Sequence, residues 1–229
     1  MKIGIIGDEP AGPVLAKAWA MAGHQVVGAA VTTPEAIERV EALLPDVPID
    51  SMPAVCEDAE VIVFAVPYSD VEISCEGLAD LGLFGPKKIL IHLSPLRGYG
   101  ALAAAGVFGS VTIAMHPVMH FSGTSVDLMV LKNATVAFSA PEVYQPIAQA
   151  LAIELGAEPI LVEEHQRDAY AEAYEVATGF SSLVVKQALG ILGEANVQDP
   201  ARILGPVIRS AVEDALSGPL QDINPEDVL

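Results

Sequence analysis

The sequence predicts an α/β protein. A doubly wound, mostly parallel sheet is expected over residues 1–162, followed by a small all-helical domain over residues 163–229. Three observations carry this reading. Short apolar runs of strand length recur along the first part, and helical patterns separate them. The first run passes through a glycine turn directly into a helix. After Glu163 the strand-like runs stop and apolar residues recur at helical spacing.

The opening stretch, KIGIIGDEPAG, sets the frame. Ile3, Ile5 and Ile6 with Gly4 form an apolar run too short for a helix, which reads as a buried parallel strand. Gly7 begins a tight turn, a helical pattern runs from Gly12 through Leu15, Trp19 and Ala22, and Gly23 stops it. A second strand follows over 25–31. Strand, glycine turn, helix and strand form the first unit of a Rossmann-type dinucleotide-binding fold. The full fingerprint is G-x-G-x-x-G. Gly7 and Gly12 fill its outer places, while Glu9 stands where a glycine lets backbone approach a pyrophosphate. Asp8 and Glu9 put two carboxylates in the turn, and a like charge about 4 Å away costs roughly 4 kcal/mol at an effective dielectric of 20. Pro10 and Pro13 offer no amide hydrogen, although Pro13 suits a first helical turn. Candidate cofactor contacts here are Gly7, Asp8, Glu9, Pro10, Ala11 and Gly12.

The second strand ends in Thr32 and Thr33, where an acidic residue would hold a ribose hydroxyl and an arginine a 2′-phosphate. Both threonines are candidate cofactor contacts, and Thr33 also suits the N-cap of the next helix, with Pro34 following. Arg39 reads as a surface residue of that helix. A short third strand is expected at 47–49 and a strong buried one at 59–66. The end of the latter, Ala65, Val66, Pro67 and Tyr68, is expected to face the cofactor ribose, with Ser69 or Asp70 capping the next helix.

Strands are also expected at 87–92 and 110–116, and both finish on a histidine. Ligands bind beyond the carboxyl ends of parallel strands. His92, Ser94, His116 and His120 are therefore the candidate catalytic residues, since imidazoles titrating near neutrality move protons. A zinc site made by His92, His116 and His120 is the weaker use of the same residues, because no HxxH or HExxH spacing supports it. A strand at 134–139, a helix at 141–155 closed by Gly156, and a last strand at 158–162 complete the sheet domain. A helix over 168–193, apolar on more than one face, and a helix over 200–217 with one apolar side follow, and an acidic mobile tail over 218–229 is expected. So few helical residues cannot bury a large core alone, which predicts a two-fold homodimer through them.

Composition narrows the function. The 229 residues carry a net charge of −19, which argues against nucleic acid and anionic membrane surfaces as partners. Two cysteines, Cys56 and Cys75, lie outside any CxxC spacing, and a reducing cytoplasm is the expected compartment. Residues 1–23 look like a signal peptide only superficially, because Asp8, Glu9 and Pro10 interrupt the apolar core. No uncharged apolar run reaches 18 residues, so no membrane span is expected.

Several pieces together resemble a known group: KIGIIG, AVP at Ala65 to Pro67, HLS at His92 to Ser94, HPVMHFSGT at His116 to Thr124, and DPARILGPVIRSAVEDAL at Asp199 to Leu216. The chain is similar to Rossmann-like proteins with an uncharacterised C-terminal helical domain. These belong to the 6-phosphogluconate dehydrogenase-like superfamily, near pyrroline-5-carboxylate reductase and the deazaflavin-dependent NADP reductases. The resemblance implies hydride transfer between NAD or NADP and a small-molecule substrate. It departs at Glu9, and at Gly190, where the β-hydroxyacid dehydrogenase branch has an asparagine one turn after a lysine matched by Lys186. Tyr174, Glu175 and Ser181 are further candidate substrate contacts. The alternative is a non-catalytic dimeric scaffold or small-ligand sensor that has lost dinucleotide binding.

Overall fold

The computed structural model describes residues 1–218; the expected tail over 218–229 lies outside the described residues except for Gly218. The chain divides into two compact units, Met1–Tyr174 and Glu175–Leu229.

The first unit holds a seven-stranded sheet with the order β2-β1-β3-β4-β5-β6-β7. Its strands are β1 (Lys2–Ile6), β2 (Gln25–Ala30), β3 (Val61–Phe64), β4 (Ile89–His92), β5 (Val111–Pro117), β6 (Thr135–Ser139) and β7 (Glu158–Leu161). β2, β1, β3, β4 and β5 run parallel, and β6 pairs antiparallel with β5. The fold is the doubly wound, mostly parallel sheet that the sequence predicts. The strands at the centre are buried on both faces, which is why they read as continuous apolar runs.

Helices α1 (Ala11–Met21), α2 (Pro34–Leu43), α3 (Met52–Asp58), α4 (Val71–Asp80), α5 (Ala103–Gly106), α6 (Asp127–Leu131) and α7 (Gln145–Glu154) cover the sheet. Trp19 on α1 is fully buried among Ile3, Val63, Ile113 and Phe138, and its indole N–H donates to the Leu151 carbonyl at 2.9 Å. That bond ties α1 to α7 and satisfies the one polar atom of a large apolar ring. On the other face Cys56 and Cys75 are free and buried, and burial pushes their thiols up to about 12 and about 11. They are packing residues rather than nucleophiles.

Two local expectations need correction, and one helix was not foreseen. Residues 47–49 form no strand; a single bridge joins Ile49 to Ala29, with the Pro48 carbonyl taking the Ala29 amide. Pro45 and Pro48 remove the amides that a longer edge ladder would need. Residues 52–58 are helical, as α3, whose first position follows a Ser51 cap. Lys88 reaches the open carbonyls of Cys56, Glu57 and Ala59 at the other end of α3, a cationic C-cap from a distant strand. Asp70 precedes α4 but makes no side-chain cap, because it accepts from Ser69 Oγ instead.

After β7 a 3₁₀ turn leads into α8 (Arg167–Glu175). The second unit contains a π-helical turn at Val176–Phe180, then α9 (Ser181–Glu194) and α10 (Pro200–Ser217), which pack against each other. Phe180, Leu183, Val184, Ile191, Val207 and Leu216 are exposed on it. The continuous helix Glu164–Glu194 is also long and apolar enough to cross a membrane by length and composition. Thr178, Ser181, Ser182, Lys186 and Gln187 break the apolar sequence here, so it is no unbroken apolar run.

Candidate functional site

The turn after β1 is built by Gly7. Its φ is +108°, and a Cβ there would lie 2.3 Å from the Ala65 carbonyl oxygen. No side chain fits, so backbone passes against backbone and the Glu9 amide donates to the Ala65 carbonyl at 2.9 Å. A cleft of about 390 Å³ opens at this point. Asp8, Thr32, Val66, Pro67, Asp70 and Ser74 line it, together with Gly7, Glu9, Pro10, Ala30 and Met52.

Asp8 does not project freely into the turn. Its Oδ1 accepts from the Thr32 amide at 2.7 Å, and its Oδ2 accepts from Thr32 Oγ1 at 2.6 Å and from the Thr33 amide at 3.2 Å. Partial burial works to raise its carboxyl, but the bonds from Thr32 and Thr33 outweigh that and hold it below the ordinary carboxylate range. A carboxylate thus stands at the end of β2, where a dinucleotide-binding fold needs one for ribose hydroxyls, although it arrives from the end of β1. Thr33 keeps its capping role, accepting from the Ala36 amide. Glu9 is exposed, and Tyr68 is exposed with the Arg97 guanidinium 6.0 Å from its ring centre. Ala65 is buried at the strand end, and Ala11 and Gly12 begin α1.

Arg39 is not a free surface residue. Its Nη2 donates to the Asp8 backbone carbonyl at 2.8 Å, and its stem lies where a Cβ on Gly123 would fall. The Gly123 loop is itself closed by buried Asp127, which accepts from Ser122 Oγ and the Gly123 amide, each at 2.8 Å. One end of HPVMHFSGT therefore braces the first turn, while the other ends β5.

At β4 and β5 the surroundings differ. His92 is fully buried. Its Nε2 lies 2.8 Å from the Gly98 carbonyl, which can only accept, so that nitrogen carries the proton and Nδ1 accepts from the Ser94 amide. Burial, with Arg167 and Arg97 adding to it, pushes its pKa down to about 4 against the Gly98 bond. Both ring nitrogens are spent on the loop. The Ser94 hydroxyl likewise accepts from the Leu96 amide. His92 and Ser94 shape the loop after β4, and His120 is exposed, so the expected four-residue convergence narrows to His116.

His116 is buried, and its Nδ1 lies 2.7 Å from Tyr170 Oη. Burial, then the charge of Arg167, lowers its pKa to about 4, so it is neutral at pH 7. Tyr170 is raised, by burial first, and the Tyr174 ring stands edge-on to His116 at 4.9 Å. Arg167, 3% exposed, donates from Nε to Ser139 Oγ at 3.0 Å, while its Nη1 and Nη2 have no partner among the described residues. Ser139 Oγ in turn donates a hydrogen bond to Glu164, whose carboxylate also accepts from the Tyr99 and Gly100 amides at 3.1 and 2.9 Å. Sequence reasoning missed Arg167, Glu164 and Tyr170. The available signal was an arginine next to the last strand in a chain with only 11 lysines and arginines. Among the described residues no cluster of metal-ligating side chains occurs.

The residues present fit the adenosine half of a dinucleotide: an open cleft, a glycine turn with no side chain, and a β2-end carboxylate with an acceptor position to spare on Oδ1. The Rossmann-like domain family matches residues 1–117, and a domain of unknown function, DUF2520, matches residues 134–223. No curated relative matches in sequence. Among solved structures, a candidate NADP oxidoreductase from Bacteroides fragilis superposes with a TM-score of 0.75 at 17% identity, covering 95% of this chain and 81% of that one. An imine reductase from Streptomyces aurantiacus gives 0.70 at 14% identity, over 93% and 74% of the two chains. The 1-pyrroline-5-carboxylate reductase of Streptococcus pyogenes gives 0.65 at 16%, over 99% and 83%. At these identities the likeness is one of fold.

Proposed function

The chain belongs to the Rossmann-like domain family, and from that premise we propose that it is an oxidoreductase acting on a small carbonyl or imine compound with a nicotinamide dinucleotide as hydride carrier. The observation that carries this reading is the neutral His116–Tyr170 pair at the end of β5, on the same sheet edge as the cleft beside β1. From β1 to β5 is three strand spacings, roughly 14 Å.

Gly7 to Gly12 would hold the pyrophosphate, Asp8 the adenosine ribose, and Ala65 to Tyr68 the middle of the cofactor. Bound nicotinamide supplies or takes the hydride. His116 and Tyr170 would relay the proton that the substrate oxygen or nitrogen exchanges: the neutral ring gives its N–H proton as Nδ1 takes the Tyr170 hydroxyl proton, which leaves the charge on Tyr170 beside Arg167. Arg167, desolvated beside His116, favours negative charge developing on a substrate oxygen. The neighbours named for imine and pyrroline-5-carboxylate reduction are consistent with this chemistry.

We also propose that the exposed apolar side chains of α9 and α10 are covered by a second copy of the chain, and that the protein works in the cytoplasm. Light scattering without detergent should give a dimer. A monomer, or a protein that requires detergent, would contradict this and favour the membrane use of the long helix.

The test of the activity is NADH consumption with a panel of small ketones and cyclic imines. His116→Gln should lower turnover by roughly a hundredfold or more while leaving NADH affinity unchanged. Equal turnover in the variant would remove His116 from the reaction.

A further inference from the structure

We infer that Asp8 makes the cleft selective for a dinucleotide with a free 2′-hydroxyl on its adenosine ribose, by occupying the seat that a 2′-phosphate would take. This rests on the cofactor reading above. The seat consists of the Thr32 amide, the Thr33 amide and the Thr32 hydroxyl, in the segment between β2 and α2. Successive backbone amides converging on one point make an anion-binding concavity. Here the anion is internal, and all three donors point at Asp8 oxygens within 3.2 Å.

Charge reinforces the blockade. Asp8, Glu9 and Asp70 line the cleft, and no lysine or arginine is among its lining residues. Arg39 spends Nη2 on the Asp8 carbonyl and holds the turn in place, while its Nε is buried without a partner among the described residues. A 2′-phosphate would meet a carboxylate that already holds its donors. A 2′-hydroxyl, in contrast, can donate to the remaining acceptor position on Asp8.

The experiment is calorimetric titration of the full chain with NADH, NADPH, 5′-ADP and adenosine 2′,5′-bisphosphate. The wild-type protein should bind NADH at least about tenfold more tightly than NADPH, and 5′-ADP more tightly than the bisphosphate. Asp8→Ala should reverse the order by weakening NADH and strengthening NADPH. Asp8→Asn, which keeps the side chain's shape, should narrow the ratio even if the alanine variant folds poorly. Equal or tighter NADPH binding by the wild type, or an unchanged ratio in Asp8→Asn, overturns the inference and leaves the cofactor site standing. No binding of any of the four overturns both.

Discussion

Two carboxylates in this molecule make nearly the same bonds and serve different ends. Asp8 and Glu164 each accept from two consecutive backbone amides and one hydroxyl, all three from the segment after β2 for Asp8, and from Tyr99, Gly100 and the β6 residue Ser139 for Glu164. Asp8 does so beside an open acidic cleft. Glu164 does so beside a buried arginine, reached through Ser139, and against Gly98, where a Cβ would fall on the carboxylate itself. The coordination alone does not decide the role. At the open end water and ligands compete for the donors, which suits selection. Glu164 is half-buried like Asp8, but its carboxylate is pressed against Gly98 and linked through Ser139 to the buried Arg167; that closed end suits rigidity and a fixed electrostatic environment for His116.

The largest expected effect lies at the closed end. Arg167→Met should cost roughly a hundredfold or more in turnover if that cation favours charge in the transition state. It should also raise the His116 pKa from about 4, though not to 6.5, because burial is the larger cause and remains. Histidine proton shifts followed through a pH titration would read this directly, and an unmoved value would show that Arg167 does not face the imidazole. Next in size, Glu164→Ala leaves the Tyr99 and Gly100 amides without an acceptor. Stability should fall by about 2 kcal/mol, as a lower denaturant midpoint at unchanged slope.

Acid comes third. His92 and His116 both have folded pKa values depressed to about 4, so the unfolded chain binds more protons below 6.5. The stability they contribute is whole above about pH 6.5 and is lost as pH falls towards 4. The melting temperature should decline through that window, and more shallowly in His92→Gln. The smallest effect belongs to the open end. Asp8→Asn should change stability by less than about 1 kcal/mol, since the half-buried carboxylate faces the cleft and water can replace what it loses. A large loss there would mean that Asp8 is a brace like Glu164 and not a gate.

The contrast also separates what a sequence displays from what it hides. Strands such as VIVF and the SVTIAMH run declare themselves because burial on both faces demands continuous apolar residues. Gly7 and the Thr33 cap are legible because local backbone geometry requires those residue types. Asp8 is different: its identity in the turn suggests repulsion of a phosphate, while its contacts depend on the end of β2, 24 residues away. Tyr170 and His116 are 54 apart, and Glu164 and Gly100 are 64 apart. Such pairings follow from strand order, and no local pattern encodes them. Two strand-end histidines looked equivalent for the same reason; only the loop carbonyl at Gly98 distinguishes the spent one from the other.

The claim on which the rest depends is that the cleft beside β1 accepts a nicotinamide dinucleotide. Titrating the full chain with NADH while following the cofactor's fluorescence tests it most directly. Saturable micromolar binding, one NADH per chain and weakened in Gly7→Ala, is the predicted result. The absence of saturation up to millimolar NADH would contradict it.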